Sequence, residues 1–263
     1  LVYLHVAQRI IQGDGITLPY IWNFLASPES STPPAFGYWM PAATFITVPS
    51  LKLLGSDSVL GALLPQFLLL VVFIVTSYAI AFQFTKNRML ASTSALIVAF
   101  HPWTIGKVTT SEGALPAAVA GVLAYLAISK ALSANPNRAR LLATLSGLGA
   151  GLAYLSRGDG VLVVLIIVST LLVLIALKKR IVPSYQLETR QGLILVGLVV
   201  VGFLFVMTPW FIRNYQTFDT PTPPGSRAIF VDDYEDIFSV DVNISVSNYL
   251  NQPVSDLLLR RIL

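Results

Sequence analysis

The chain has 263 residues, of which 55% are apolar and 11% are charged, with a net charge of +4 and a mean hydropathy of +0.72. A soluble domain carries about 25% charged residues, because its surface must stay wetted. The composition therefore excludes a soluble enzyme, a disordered chain and a nucleic-acid-binding protein, and it predicts an integral membrane protein.

Residues 1–57 are predicted to form a loop outside the membrane, with two helices that lie along the membrane surface. Residues 1–12 have apolar side chains at helical spacing with polar residues between them, and Gly13 ends the pattern. Residues 38–54 are apolar enough to suggest a membrane crossing, but two prolines and Lys52 interrupt them. A crossing here would also invert the charge bias of every later loop, so we expect an interfacial helix instead.

Six charge-free stretches follow, and a membrane-spanning helix takes roughly 20 such residues. They are residues 58–85, 89–106, 113–129, 141–156, 160–177 and 191–212. The fourth stretch is short, so we expect its helix to extend past Arg140. It also contains Gly147 and Gly151, whose spacing allows two membrane helices to approach closely. Together the six stretches predict a six-span bundle over residues 58–212.

Basic residues alternate between the loops of this bundle. The loops after the first, third and fifth spans hold nine of the 17 Lys and Arg residues: Lys86, Arg88, Lys130, Arg138, Arg140, Lys178, Lys179, Arg180 and Arg190. The other two loops hold one basic residue each. Because cytoplasmic loops are enriched in Lys and Arg, we expect the first set of loops in the cytoplasm. Residues 1–57 and the acid-rich segment 213–263 are then predicted to lie on the outer side.

Polar residues are found at the predicted outer ends of the spans. Glu112 precedes the third span, Arg157 and Asp159 lie between the fourth and fifth, and Arg213 and Asn214 follow the sixth. No charge lies in the middle of a span, where ion-coupled transporters usually have one. A site at the outer interface suits an enzyme that takes a lipid-linked substrate from the membrane and a polar acceptor from water.

Four stretches resemble motifs of the GT-C membrane glycosyltransferases, specifically the bacterial and archaeal relatives of the dolichyl-phosphate-mannose protein mannosyltransferases. They are residues 3–15, residues 20–23 with 38–41, the sequence GLAYLSRGDG at 151–160, and PWFIRNY at 209–215 with Phe218. The resemblance covers nearly the whole chain. It implies an all-α, polytopic integral membrane bundle of GT-C type with interfacial helices on its outer face.

The resemblance also implies an activity. A GT-C enzyme of this kind inverts the configuration of a sugar as it moves it from a polyprenyl-phosphate donor to a protein, lipid or glycan acceptor. The reaction is expected at the extracytoplasmic face of a prokaryotic plasma membrane. The family's main catalytic aspartate would fall just before Leu1. We therefore expect the chain, which starts without methionine and ends soon after Arg260 and Arg261, to be a fragment that lacks it.

Among the acids present, Glu112 and Asp159 are the candidates to take a proton from the acceptor hydroxyl. For both, the alternative is an acid favoured by the dipole at a helix N-terminus, and Asp159 is also expected to pair with Arg157. Arg213, Arg157 and Lys107 are the candidates to bind the lipid phosphate, because cations stabilise charge on a leaving phosphate. Their alternative role is to reach lipid headgroups at the interface.

His5, Tyr38, Trp39 and Asn214 are expected to line the substrate cavity. No metal site is predicted, because the chain has no cysteine and its two histidines lack the spacing of metal ligands. A divalent cation held by the outer-loop acids is compatible with the sequence but is not required by it.

Two other functions remain open. A transporter or flippase of a lipid-linked or amphipathic substrate would show internal repeats and helices broken within the membrane, and the sequence shows no repeat. A noncatalytic membrane scaffold remains open because of the missing aspartate.

Overall fold

The structure, a computed structural model, describes residues 2–25, 31–177, 188–230 and 234–239. The fold is all-helical, with 78% helix and no strand in the part of the chain that is described. The helices are α1 Val2–Gln12, α2 Ala42–Leu54, α3 Val59–Thr85, α4 Arg88–Phe100, α5 Pro102–Val108, α6 Ala114–Ala131, α7 Pro136–Ser156, α8 Val161–Leu177 and α9 Thr189–Phe218. Short 3₁₀ turns cover Gly158–Gly160, Pro224–Phe230 and Tyr234–Phe238. The predicted loop residues Lys178, Lys179 and Arg180 lie outside the described residues, as do residues 231–233 and 240–263 of the predicted acid-rich segment.

Among the residues that the structure describes, four helices are long and apolar enough to cross a membrane, namely α3, α6, α9 and α8 with the 3₁₀ turn that precedes it. A fifth span results if α4 and α5 are counted as one bent unit. Large apolar side chains face outward on these helices, for example Met89 at 79%, Ile97 at 61% and Phe205 at 75% exposure. Apolar surface of this extent is not stable in water, and these long apolar helices are compatible with a multi-pass helical membrane protein.

The predicted span over residues 89–106 is not continuous. The axes of α4 and α5 differ by 54°, and the break falls at His101, whose backbone is extended. Pro102 explains the break, because proline lacks an N–H and disfavours helical geometry in the residue before it. The imidazole Nδ1 of His101 accepts a hydrogen bond from Trp103 N at 3.2 Å and so caps the first turn of α5.

The predicted fourth span is a helix of 21 residues, α7, but it is less apolar than the other spans. It packs against α6 and α9 through a buried strip of small residues: Ala139, Ala143, Ser146, Gly147, Ala150, Gly151 and Ala153. A Cβ built on Gly147 would lie 2.1 Å from the carbonyl oxygen of Val199 on α9, and one on Gly151 would lie 2.7 Å from Val206 Cβ. The predicted close approach at these glycines is therefore confirmed.

The described loops of the two sets lie at opposite ends of the bundle. At one end, which we call the basic end, Gln83 near the end of α3 donates to the Ser129 hydroxyl near the end of α6. At the other, which we call the site end, Ser111 donates to Ala62 O near the start of α3. About 20 helical residues, or about 30 Å, separate these two contacts along α3. The charge alternation in the sequence therefore corresponds to two ends of one bundle.

Helices α1 and α2 cover the site end. The prediction of a helix over residues 1–12 is confirmed, and it ends at Gly13, whose φ of 88° suits glycine. The second predicted helix begins at Ala42 and has 13 residues, too few to span a bilayer. The buried hydroxyl of Thr44 on α2 donates to Tyr3 O on α1 at 3.0 Å, and this bond fixes the two helices to each other.

Candidate functional site

A cavity of about 910 Å³ lies at the site end of the bundle. Its walls come from α1, from the start of α3, from the link between α5 and α6, and from the aromatic residues Tyr20, Trp22 and Trp39 of the first loop. Most of the lining is apolar, with a few polar groups. A cavity of this size and character is typical of a binding site for a small organic molecule.

Glu112 is the acidic residue of the link between α5 and α6, and it lines the cavity. Its carboxylate contacts the ammonium of Lys107 and accepts a hydrogen bond from Thr110 Oγ1 at 3.1 Å. The buried side chain of Gln66 lies beneath the link, and its Nε2 is 3.5 Å from Glu112 O. At Gly113 the link packs directly against the end of α7. A Cβ at this position would lie 2.0 Å from Ser156 O, so only glycine allows the approach.

Aromatic rings form one wall of the cavity. Trp22 and Trp39 lie 5.9 Å apart between ring centroids, and Tyr3 lies 6.3 Å from Trp39. The indole Nε1 atoms of both tryptophans and Nδ1 of His5 are buried, and no described residue forms a hydrogen bond with them. Buried polar atoms are normally paired, and these three nitrogens are unpaired although none of them is exposed to the cavity.

Residues from the C-terminal part of the described chain support the same wall. Phe24 N donates to Ile237 O at 3.0 Å, and the ring of Phe238 lies edge-on to Trp22 with 6.2 Å between centroids. Gly225 N donates to Gly37 O at 2.6 Å. The 3₁₀ turns after α9 therefore hold the first loop in place.

The predicted acid Asp159 is held by the predicted cation Arg157. Arg157 donates from Nε to Oδ1 and from Nη2 to Oδ2, both at 3.0 Å, so their predicted pairing is confirmed. This hydrogen-bonded pair, with a further contribution from the nearby charge of Glu112, raises the pKa of Arg157. Neither residue lines the cavity, and both are about half exposed, at 47% and 58% of their side chains.

Arg213 lies elsewhere at the site end. Its guanidinium lies over the rings of Trp210 and Phe218, at 4.9 and 5.0 Å from their centroids. It donates to Ala35 O at 2.6 Å and to the buried Asn214 side chain at 3.1 Å. These contacts join α9 to the first loop, and the phosphate-binding role of Arg213 stays a prediction.

The structure thus brings together part of the predicted set. His5, Trp39 and Glu112 line one cavity, with Lys107 in contact with Glu112, whereas Tyr38 and Asn214 are outside its lining. Tyr38 packs edge-on to Trp39, with 4.8 Å between ring centroids.

Sequence reasoning missed Tyr3, Tyr20 and Trp22 as individual site residues. All three lie in stretches that carry the family resemblance, so the motifs contained the signal. Within the described ranges, no three His, Asp or Glu side chains come together as a metal site.

Comparison with known proteins gives no match to a family model, to a curated protein or to a solved structure. The class defined by the fold is a multi-pass helical membrane protein with a cavity at one end of its bundle. The resemblance to GT-C glycosyltransferases stays a prediction from sequence motifs.

Proposed function

We propose that this chain is part of a membrane-embedded inverting glycosyltransferase of the GT-C type. It would move a sugar from a polyprenyl-phosphate donor to an acceptor at the extracytoplasmic face of a prokaryotic plasma membrane. The observation that carries the proposal is the cavity at the site end, which is lined by the aromatic residues Tyr3, Tyr20, Trp22 and Trp39 and by Glu112.

The residues of the cavity suit both the sugar and the lipid chain of such a substrate. Tryptophan and tyrosine rings are large apolar surfaces with a polar group at one end, and such rings can pack against the apolar faces of sugars. Val59 and Leu63 at the start of α3 line the same cavity, and Val59 is 73% exposed toward the surroundings of the bundle. An apolar lipid chain can therefore extend from the cavity along α3.

The charged groups suit a substitution at the anomeric carbon. The acceptor oxygen would form a bond to that carbon while the bond to the donor phosphate oxygen breaks, and the phosphate would leave with the electron pair. Glu112 would take the acceptor proton, unless the expected upstream aspartate does so. Lys107, which contacts Glu112, would stabilise the charge on the leaving phosphate.

The proposal is tested with the full-length protein in proteoliposomes that contain a radiolabelled undecaprenyl-phosphate hexose. Transfer of label to acceptors in a membrane extract is the expected result. Glu112→Gln is expected to lower the transfer rate about 100-fold, the lower end of the range for general acid–base catalysis. Glu188→Gln is the matched control, because Glu188 is exposed at the start of α9, at the basic end. No transfer by the unmodified protein would refute the proposal.

The bend between α4 and α5 favours a second candidate, a transporter or flippase of a lipid-linked or amphipathic substrate. Broken helices line the substrate sites of many transporters, and this pair is bent by 54°. A flippase would move a fluorescent polyprenyl-phosphate sugar between the leaflets of a liposome without transferring the sugar. Movement without transfer would support this candidate over the glycosyltransferase.

A further inference from the structure

Tyr3 is held firmly at the inner side of α1. It is 9% exposed, its ring packs against Trp39, and its carbonyl accepts the hydrogen bond from Thr44 on α2. The residue lines the cavity together with Glu112. The position of its ring is therefore fixed by two neighbouring elements, and its hydroxyl has a defined location at the cavity wall.

The hydroxyl of Tyr3 forms no hydrogen bond with any residue that the structure describes. Buried phenols usually have a hydrogen-bond partner, because an unpaired polar group loses its interaction with water. Unlike the nearby ring nitrogens, this hydroxyl oxygen is not fully buried, so it is accessible from the cavity. A ligand in the cavity can therefore accept a hydrogen bond from this hydroxyl in place of water.

Two charged residues influence the ionisation of the Tyr3 phenol. Glu112, on the link before α6, and Arg157, at the end of α7, both act electrostatically on its phenol. Burial, with a smaller contribution from Glu112, raises the pKa of Tyr3 to about 12. The group is consequently a neutral hydrogen-bond donor at physiological pH.

We propose that Tyr3 is a substrate-binding residue, whose hydroxyl donates a hydrogen bond to an oxygen of a polyprenyl-phosphate sugar bound in the cavity that Tyr3 and Glu112 line. This inference rests on the proposed function for the identity of the ligand. The oxygen belongs either to the phosphate or to the sugar, and two probes distinguish these sources.

The test measures binding of undecaprenyl phosphate and of undecaprenyl-phosphate mannose to the full-length protein in nanodiscs, by quenching of tryptophan fluorescence. Tyr3→Phe removes the hydroxyl and keeps the ring that packs on Trp39. We expect it to weaken binding about three- to tenfold, as the loss of one hydrogen bond predicts. Weaker binding of both probes assigns the contact to the phosphate, and weaker binding of the mannose-bearing probe alone assigns it to the sugar.

Tyr78→Phe is the matched control, since it removes a phenol hydroxyl from a ring that stacks on Phe82 within α3. It should bind both probes as the unmodified protein does. An unchanged thermal midpoint of Tyr3→Phe shows that the variant is folded. Equal affinity of Tyr3→Phe and the unmodified protein for both probes would overturn the inference, and so would failure of the unmodified protein to bind either probe. Binding without sugar transfer would refute the proposed function and leave the role of Tyr3 intact.

Discussion

The ammonium of Lys107 contacts Oε1 of Glu112, and the hydroxyl of Thr110 donates a hydrogen bond to the same oxygen. The sequence predicted separate roles for the two charged residues, one with a phosphate and one with an acceptor proton. In the structure each is the other's partner, and both side chains are about one third exposed. An anion that binds Lys107 therefore shares its ammonium with Glu112, because the ammonium has three N–H donors.

Replacing Lys107 by glutamine is predicted to weaken binding of the anionic donor. Charge-assisted hydrogen bonds to phosphate are about twice as strong as neutral ones, so we expect KM for the polyprenyl-phosphate sugar to rise about tenfold. Steady-state kinetics at several donor concentrations measure the change. Lys130→Gln, at the basic end, should leave KM unchanged, and an equal rise in both variants would contradict a specific role for Lys107.

Replacing Gly147 by alanine is predicted to destabilise the bundle. The new Cβ would overlap the Val199 carbonyl of α9, and overpacking of this kind costs about 1–3 kcal/mol in the free energy of unfolding. Thermal unfolding in detergent measures the effect. Gly197→Ala is the control within the same helix pair, because no atom lies within 4 Å of its added Cβ. A midpoint for Gly147→Ala at or above that of Gly197→Ala would show that the approach of α7 and α9 is looser than described.

Stability is predicted to fall steeply in alkali because of Tyr3. Its pKa is about 12 in the folded protein against 10 for the free side chain. Between pH 10 and 12 the unfolded chain therefore loses the phenolic proton while the folded chain keeps it. This difference lowers the free energy of unfolding by about 2–3 kcal/mol as the pH rises through that interval.

The measurement is the unfolding midpoint between pH 9 and 12, compared with Tyr3→Phe. The variant lacks the ionising group, so its midpoint should decline less over this interval. Parallel curves for the two proteins would exclude a contribution from Tyr3.

The orientation predicted from the basic loops is tested by cysteine labelling, since the chain has no cysteine of its own. Asn137 and Thr222 are exposed and lie respectively at the start of α7 and after the end of α9. In intact cells, Thr222→Cys should react with a membrane-impermeant maleimide and Asn137→Cys should react only after lysis. The reverse pattern would place the cavity on the cytoplasmic side.

The positions of the helices follow from local features of the sequence. Asn87 and Asn135 cap α4 and α7 with their side-chain oxygens, and Ser58 caps α3. Such caps and the charge-free runs can be recognised from the amino-acid sequence alone. The break at His101 also had a local signal in Pro102, although the apolar run on both sides favoured one continuous span.

The composition of α7 and the set of residues that line the cavity both depend on packing between residues that are far apart in the sequence. A helix surrounded by other helices needs small side chains rather than large apolar ones, so α7 is only weakly apolar. In the same way, the motifs indicated His5, Trp39 and Glu112, but their meeting in one cavity depends on how α1 lies across the link before α6. The motif around Arg213 gave no indication that its guanidinium would bond to Ala35 O.

The backbone bond from Phe24 to Ile237 has a consequence for biosynthesis. The first loop leaves the ribosome before any of the spans that follow it, yet the contact that holds its aromatic wall comes from a turn beyond α9. The wall cannot reach its final arrangement until that turn has been translated and has crossed to the same side of the membrane. A nascent chain halted just after α9 would therefore carry helices α1 to α9 and still lack a finished cavity.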